Sequence, residues 1–140
     1  MHKVSRVEVA VKVFDKSQMV SDEYRKKRVF QEIYIMKKLR HRAITKVLEV
    51  FETHKYLAIV MEYVRGGDLL NLVKVRGRLH EGDAKHIFKQ IVVGLAYMHC
   101  RSVAHRDIKL DNFLLTKDGK IKICDFGVSR IYKKFDHVTD

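Results

Sequence analysis

Alternating apolar residues near the beginning of the chain predict a β-strand over Val4–Phe14, with four valines on one face. Lys12 lies on the opposite face of this strand together with Ala10. A three-to-four spacing of apolar residues then predicts a helix over Ser21–Arg40, and Glu32 falls on its apolar stripe. We expect this helix to pack on the strand, because the two elements are close in the chain.

Lys12 and Glu32 are charged residues in positions that packing alone would not favour. An unpaired charge in apolar surroundings is costly, so each side chain requires a partner of opposite charge. Because their elements are adjacent, we expect the two residues to pair with each other. A purely structural ion pair explains these two residues as well as a functional one does.

The remaining hydrophobic pattern predicts four more strands and two more helices. In chain order these are Val47–Glu52, Tyr56–Tyr63, the helices Leu69–Val75 and Glu81–Cys100, and the strands Phe113–Leu115 and Lys120–Cys124. Asp68 is expected to cap the first of these helices and Gly77 to end it. From Gly127 onward the pattern has no period. The order of elements predicts an α+β fold with a boundary near Val64–Asp68.

Composition narrows the class of protein. The chain has 140 residues, 46% of them hydrophobic, which suits one globular domain with a substantial core. Cys100 and Cys124 are too few for a disulfide framework, so we expect reduced thiols and a cytoplasmic or nuclear location. The apolar runs are too short to cross a membrane, and residues 1–6 lack the apolar segment of a signal peptide.

The charge is strongly positive, with 29 Lys and Arg against 17 Asp and Glu, a net charge of +12. Such a charge attracts polyanions, which makes a nucleic-acid binder one alternative. The basic residues are spread along the chain, however, and no zinc-finger, RNP-like or helix-turn-helix pattern is present. We therefore expect most of this charge to be solvated surface, with neither nucleic acid nor a membrane as partner.

Polar residues are concentrated between the long helix and the following strand, over His105–Asn112. Asp107 could accept a proton there, Lys109 could neutralise developing negative charge, and Asn112 could bind a metal ion. Asp125 ends a later strand and supplies a hard oxygen ligand suited to Mg²⁺. Two residues further on, Gly127 would permit an unusual backbone turn. This density of polar groups between apolar segments predicts a functional loop.

These segments together resemble the signature set of the protein kinases. The matching motifs are Val9-Ala10-Val11-Lys12, His105-Arg106-Asp107 with Asn112, and Asp125-Phe126-Gly127, in that order and at similar spacing. The resemblance covers essentially the whole chain and implies an incomplete two-lobed kinase fold. Residues 1–63 would form part of the N-lobe, with its third to fifth strands and the C-helix. Residues 64–140 would form the hinge and part of the C-lobe.

The resemblance implies ATP and Mg²⁺ as cofactors and gives each charged residue a role. Lys12 would hold the α- and β-phosphates, and Glu32 would keep Lys12 aimed. Asn112 and Asp125 would hold two Mg²⁺ ions.

The same resemblance implies two residues that act on the transferring group. Asp107 would be the catalytic base, and Lys109 would stabilise the transferring phosphoryl group. Phosphoryl transfer depends mainly on such positioning and electrostatics.

The resemblance also implies a nucleotide pocket at the predicted boundary. Met61 matches the gatekeeper position, and the backbone groups of Glu62 and Val64 would meet the adenine edge. Ala10 and Leu114 would sandwich the adenine ring, and Asp68 would lie near the ribose. Met36, Val47, His105 and Phe126 match the apolar column that links the lobes, although an ordinary core explains these residue types equally well. Cys124 would line the pocket as a packed small residue.

Lys109, two residues after Asp107, resembles serine/threonine kinases, and the flanking segments look most like the calmodulin-dependent and AMP-activated group. The implied partner is a protein with a Ser or Thr acceptor. Asp68 and Asp111 match positions that receive substrate arginines, but both could equally be helix caps or solvated acids. An upstream kinase could phosphorylate Thr139, with Arg106 pairing the phosphate, although an ordinary loop threonine is an equal reading.

The sequence departs from the family pattern at both ends. No Gly-x-Gly-x-x-Gly precedes Ala10, and no Ala-Pro-Glu motif occurs before Asp140. We therefore expect a truncated kinase domain with little phosphotransfer activity of its own, and an exposed apolar face on Glu81–Cys100. The alternative is a non-catalytic, pseudokinase-like interaction module that uses this face.

Overall fold

The computed structural model describes residues 7–133. The first unit runs from Val9 to Glu62 and contains a three-stranded antiparallel sheet, and the second unit runs from Leu69 to Ile131 and contains two two-stranded antiparallel sheets. The strands are β1 (Val9–Asp15), β2 (Val47–Glu52), β3 (Tyr56–Glu62), β4 (Val103–Ala104), β5 (Phe113–Leu115), β6 (Ile121–Ile123) and β7 (Arg130–Ile131). The helices are α1 (Ser17–Val20), α2 (Glu23–Lys38), α3 (Leu69–Arg76) and α4 (Glu81–Cys100), with a 3₁₀ turn at Leu110–Asn112.

The first sheet has the order β1-β3-β2, so β3 is hydrogen-bonded on both sides. The register places Lys12 opposite Ile59, which is fully buried. The valines of β1 point outward, as the 49% exposure of Val11 shows, and the face with Lys12 points inward. The predicted strand over Val4–Phe14 is too long at its start, because β1 begins at Val9 and residues 4–6 lie outside the described part of the chain.

Helix α2 begins two residues later than predicted because Asp22 caps it, and it ends two residues earlier, at Lys38, because Leu39 takes an extended backbone. The Asp22 carboxylate accepts a hydrogen bond from the Arg25 backbone N–H at 2.9 Å, which satisfies a free donor of the first turn. Glu32 lies among its buried residues, as the apolar stripe predicts. Helix α1 was not predicted. It follows a tight turn in which the Asp15 carboxylate accepts hydrogen bonds from the Ser17 N–H and hydroxyl at 2.8 and 2.7 Å.

The second unit is built around α4, whose bounds agree with the prediction. Helix α3 begins as expected, since Asp68 Oδ1 accepts a hydrogen bond from Asn71 N at 2.8 Å, and it ends at Gly77 with φ +74°. Gly94 lets α4 approach the hairpin of β5 and β6, because a Cβ there would lie 2.7 Å from Ile123 Cδ1. Phe88 on α4 is 66% exposed, in line with the expected apolar surface.

A two-residue ladder between β4 and β7 was missed. It pairs Val103 with Ile131, inside the stretch after Gly127 that was predicted to be irregular. Two residues are too few to show a period, so no local pattern marks this ladder. None of the helices described over residues 7–133 is long and apolar enough to cross a membrane.

Hydrogen bonds also join the two units at residues outside the connection that links them in the chain. Ile123 N donates to Ala43 O at 2.8 Å, and Thr45 N donates to Ile123 O at 3.0 Å. Glu62 Oε1 accepts from Lys46 N at 2.7 Å and from Lys122 Nζ at 2.8 Å. One carboxylate oxygen therefore contacts both units.

Candidate active site

The predicted pair of Lys12 and Glu32 is present. Lys12 Nζ on β1 lies 2.5 Å from Glu32 Oε1 on α2, and the Glu32 side chain is only 4% exposed. Asp125 Oδ1 lies 3.6 Å from the same ammonium group. The Lys12 ammonium therefore lies between one buried and one half-exposed carboxylate.

Asp125 follows β6 in a left-handed backbone conformation, with φ +60°. A non-glycine residue in this region is uncommon and marks a constrained turn. The expectation that Gly127 would carry the unusual backbone is wrong, since Gly127 has no positive φ. A Cβ at Gly127 would lie 3.3 Å from Asp125 Oδ1 and 3.4 Å from Glu32 Oε2, so a larger residue would crowd the Asp125 carboxylate slightly. The Gly127 N–H also donates to Asp125 Oδ1 at 3.2 Å.

Three residues that the sequence predicts to be functional, Asp107, Lys109 and Asn112, contact one another in the loop around Asp107. Lys109 Nζ lies 3.1 Å from Asp107 Oδ2, and Asn112 Nδ2 donates to that oxygen at 3.0 Å. The hydrogen bond from Lys109 and then that from Asn112 hold the pKa of Asp107 below its usual value. The same contact with Asp107 raises the pKa of Lys109. Asp107 is therefore a carboxylate at neutral pH.

His105 anchors this loop to the segment that follows β6. Its side chain is 2% exposed, its Nε2 lies 2.9 Å from Cys124 O, and its ring contacts Phe126 edge-on at 5.3 Å. Ser129 Oγ donates to His105 O at 3.0 Å. Arg106 has φ +69° and donates from Nε to Val128 O at 2.7 Å. These contacts hold the loop around Asp107 against the segment that contains Asp125.

Asn112 and Asp125 are suited to Mg²⁺ by their chemistry. Cys124 N donates to Asn112 O at 3.0 Å, which places the residue before Asp125 beside Asn112. Asn112 uses its Nδ2 to bind Asp107, so its Oδ1 stays available as a hard oxygen ligand. No group of three or more His, Cys, Asp or Glu that could hold a metal occurs among residues 7–133. Such a pair of oxygen ligands suits an ion that takes its other ligands from phosphate and water.

The predicted nucleotide-pocket residues lie on strands of both units and on the connection between them. Ala10 is opposite Met61 in the first sheet, and Leu114 forms a bridge with Asp68 in the second unit. Glu62 ends β3, where the connection begins.

The pocket side chains behave differently from one another. Val64, in the connection, is buried. The Asp68 carboxylate is used as a helix cap. Burial raises the pKa of the half-buried Cys124 thiol to about 11, which keeps it protonated.

Sequence reasoning missed two side chains that support this site. Arg28 Nη2 donates to Gly127 O at 3.1 Å, and Arg130 Nη1 donates to Gln31 Oε1 at 2.9 Å. Both tie α2 to the segment after Asp125. Arg28 belongs to the positive charge that the sequence predicts to be mostly solvated, although its spacing of four from Glu32 places it on the same helix face.

The fold and these motifs define a protein kinase domain, and comparison with known proteins agrees. The family described as "Protein kinase domain" matches residues 1–140, and the chain belongs to this family. It is 41% identical over 133 residues to the serine/threonine-protein kinase SIK3 homolog of Danio rerio, covering 95% of this chain and 11% of that protein.

Two further relatives are a serine/threonine-protein kinase and an SNF1-like kinase. CBL-interacting serine/threonine-protein kinase 13 of Arabidopsis thaliana is 46% identical over 122 residues, which is 87% of this chain and 24% of that protein. NUAK family SNF1-like kinase 2 of Rattus norvegicus is 45% identical over 126 residues, which is 90% of this chain and 20% of that protein. The chain spans less than a quarter of the length of these relatives.

Proposed function

We propose that the chain forms the catalytic cleft of a serine/threonine protein kinase that transfers the γ-phosphoryl group of Mg-ATP to a protein hydroxyl. The observation that carries this proposal is the position of Lys12, 2.5 Å from the buried Glu32 and 3.6 Å from Asp125. A lysine held between two carboxylates, beside a loop with a depressed-pKa aspartate, suits a triphosphate and its metal ions.

Lys12 would hold the α- and β-phosphates while Glu32 fixes its direction. The Asn112 Oδ1 and the Asp125 carboxylate would hold Mg²⁺. When bound, the metal would neutralise negative charge on the phosphate oxygens. The left-handed turn at Asp125 aims its carboxylate back toward Lys12, and the Gly127 N–H helps to hold it there.

Asp107 would accept the proton of the substrate hydroxyl. Its low pKa keeps it ionised, and Asn112 holds the same carboxylate in place at 3.0 Å. Lys109 is bound to Asp107 at 3.1 Å and would stabilise charge on the transferring phosphoryl group.

The adenine would lie between Ala10 and Leu114 and meet the backbone of Glu62 and Val64, with Met61 behind it. This assignment divides the chain into an N-lobe part, residues 1–63, and a hinge and C-lobe part, residues 64–140. The antiparallel first sheet ends at Glu62, which supports a boundary at that point. Asp68 would lie near the ribose while it caps α3.

The proposed protein substrate carries a Ser or Thr acceptor. Asp111 is exposed and could receive a substrate arginine, whereas both oxygens of Asp68 already accept hydrogen bonds from Asn71, at 2.8 and 3.3 Å. A peptide array that shows no preference for Arg near the acceptor would exclude this role of Asp111. The proposed phosphosite Thr139, which an upstream kinase would modify, lies outside the described residues.

The primary test is Mg²⁺-dependent binding of a fluorescent ATP analogue to the 140-residue chain and its variants. We expect Lys12→Met to weaken binding about tenfold or more through loss of a charge-assisted contact to phosphate. Asp125→Asn should remove most of the Mg²⁺ dependence, because asparagine tolerates the left-handed backbone but lacks the charge. Equal Mg²⁺-dependent binding by both variants and the parent would exclude the proposal. Transfer to a serine peptide is measured in parallel.

The second candidate is a non-catalytic interaction module, which the exposed apolar residues of α4 favour. Phe88 is 66% and Val92 is 45% exposed. Such a module would show no Mg²⁺-dependent nucleotide binding. It would instead lose partner binding when Phe88 is replaced by Ser and keep it in Lys12→Met. The nucleotide assay therefore separates the two candidates.

A further inference from the structure

A groove elsewhere on the molecule is lined by none of the charged residues proposed to hold phosphate, metal or the substrate hydroxyl, although Glu62 belongs both to its lining and to the proposed adenine edge. It has a volume of about 900 Å³ and is bounded by the end of α2, by β2 and by β6. Its polar lining is mostly basic and consists of Lys37, Arg40, His41, Arg42, Lys46 and Lys122, with Glu49 and Glu62 as the acidic members. Five Lys and Arg side chains around one concave surface are a concentration of positive charge that folding alone does not require.

Most of these cations have no acidic partner. Within residues 7–133, no carboxylate lies within ion-pair distance of Lys37, Arg40, Arg42 or Lys46, and all four are exposed. Lys122 is the exception, because Glu62 binds it at 2.8 Å. The groove therefore carries a net positive charge that is free to meet an anion.

The surroundings of His41 are also rich in positive charge. Its pKa is lowered by burial and then by the nearby charges of Arg42, Arg101 and Lys122. Its ring stacks on Tyr97, with the ring centroids 4.6 Å apart. One face of the imidazole is therefore covered and not available for stacking on a ligand.

The groove also has an apolar wall. Leu48 is 45% exposed, and Val47 and Val50 are half-buried beside it. Met36, Leu39 and Ile44 form the buried floor. A ligand that fits this surface must bring both negative charge and apolar groups.

We propose that this groove binds an acidic peptide segment of a partner protein, with apolar side chains placed between its carboxylates. The carboxylates would pair with Arg40, Arg42 and Lys46, and an apolar side chain would contact Leu48. Extended or helical segments dock in this way, with charges that set orientation and apolar anchors that supply affinity. The proposal does not depend on the kinase activity, because it uses none of the residues assigned to catalysis.

A single-stranded nucleic acid fits the same surface less well. Proteins that bind such strands stack the bases on open aromatic rings. The one ring in the lining, that of His41, already stacks on Tyr97. Nucleic acid therefore serves as the competing outcome in the test.

The probe is a fluorescein-labelled peptide of alternating Glu, Asp and Leu, and its binding to the full 140-residue chain is followed by fluorescence anisotropy. The groove variant is Arg40→Ser/Arg42→Ser/Lys46→Ser. The control is Lys74→Ser/Lys89→Ser/Lys117→Ser, which removes the same charge from exposed positions outside the groove. A third variant, Leu48→Gln, removes the apolar contact and leaves the charge unchanged. Thermal unfolding is measured for every variant.

We expect the groove variant to weaken peptide binding about tenfold or more, and the control to weaken it less than about twofold. Leu48→Gln should weaken binding of the peptide but not of heparin, which has no apolar groups. Equal losses in the groove variant and the control would overturn the proposal, because binding would then depend only on net charge. Tighter binding of an oligonucleotide, abolished by the groove variant, would also overturn it. Absence of peptide binding at low salt would do the same.

Discussion

The Lys12 ammonium and the Glu32 carboxylate are 2.5 Å apart, but their exposures differ widely, at 37% for Lys12 and 4% for Glu32. Removing the lysine therefore leaves a buried carboxylate without its partner, which costs more than removing both charges. We expect Lys12→Met to lower the free energy of unfolding by about 1–3 kcal/mol, and Lys12→Met/Glu32→Leu to recover part of that loss. Urea unfolding of the single and double variants measures this difference. A double variant less stable than Lys12→Met would contradict the prediction.

Gly94 and Gly82 are both in α4, but only Gly94 is close to other residues. A Cβ at position 94 would lie 2.7 Å from Ile123 Cδ1 and 3.2 Å from Ala43 Cβ, and both residues are buried. Gly94→Ala should therefore lower the free energy of unfolding by about 1–3 kcal/mol through overpacking.

The matched control for this prediction is Gly82→Ala. Nothing lies within 4 Å of a Cβ at position 82, so the helix should gain up to about 1 kcal/mol from the better helix former. Chemical unfolding of the two variants compares these effects. Equal shifts in both would mean that α4 does not approach β6 closely.

The depressed pKa of Asp107 depends first on Lys109. In Lys109→Met the carboxylate loses the hydrogen bond that lowers its pKa most and the adjacent positive charge. The charged form is then less favoured, so the pKa of Asp107 should rise toward its ordinary value of 3.8. An NMR titration of the Asp107 carboxyl carbon measures the change. Lys120→Met should leave the Asp107 titration unaltered, because Lys120 pairs with Asp118.

Cys124 should be nearly inert to alkylation at neutral pH. Burial raises the pKa of its thiol to about 11, so at pH 8 about one thiol in a thousand is ionised. The alkylation rate should rise about tenfold per pH unit up to about pH 11. Mass spectrometry of the peptide that contains Cys124 follows the reaction. A plateau near the ordinary thiol pKa of 9.0 would show that Cys124 is not held as described.

The sequence predicted the bounds of several helices and strands correctly. The bounds of β2, β5 and α4 agree with the structure, since each is delimited by a clear change in hydrophobic pattern. The pairing of Lys12 with Glu32 also followed from the sequence, because a charge on an apolar face requires a partner. The pattern could not show which face of β1 is inward, since valine is equally suited to either.

The features that the sequence did not reveal depend on contacts between distant residues. Three non-glycine residues have a left-handed backbone, namely Ser102, Arg106 and Asp125. Their residue types do not predict this conformation. The ladder of β4 with β7 is two residues long and joins segments far apart in the chain. The hydrogen bond from Arg28 to Gly127 also spans 99 positions. Only the folded chain brings these partners together.

The shared carboxylate oxygen of Glu62 has a consequence for how the two units move. It contacts Lys46 N in the first unit and Lys122 Nζ in the second, and the side chains of Glu62 and Lys122 are 29% and 17% exposed. Separating the units would have to break this pair, and because both side chains are mostly buried, mobile ions screen the pair only weakly. The contact between the units should therefore persist as ionic strength increases, so that Glu62 keeps the two units together in dilute and in concentrated salt alike.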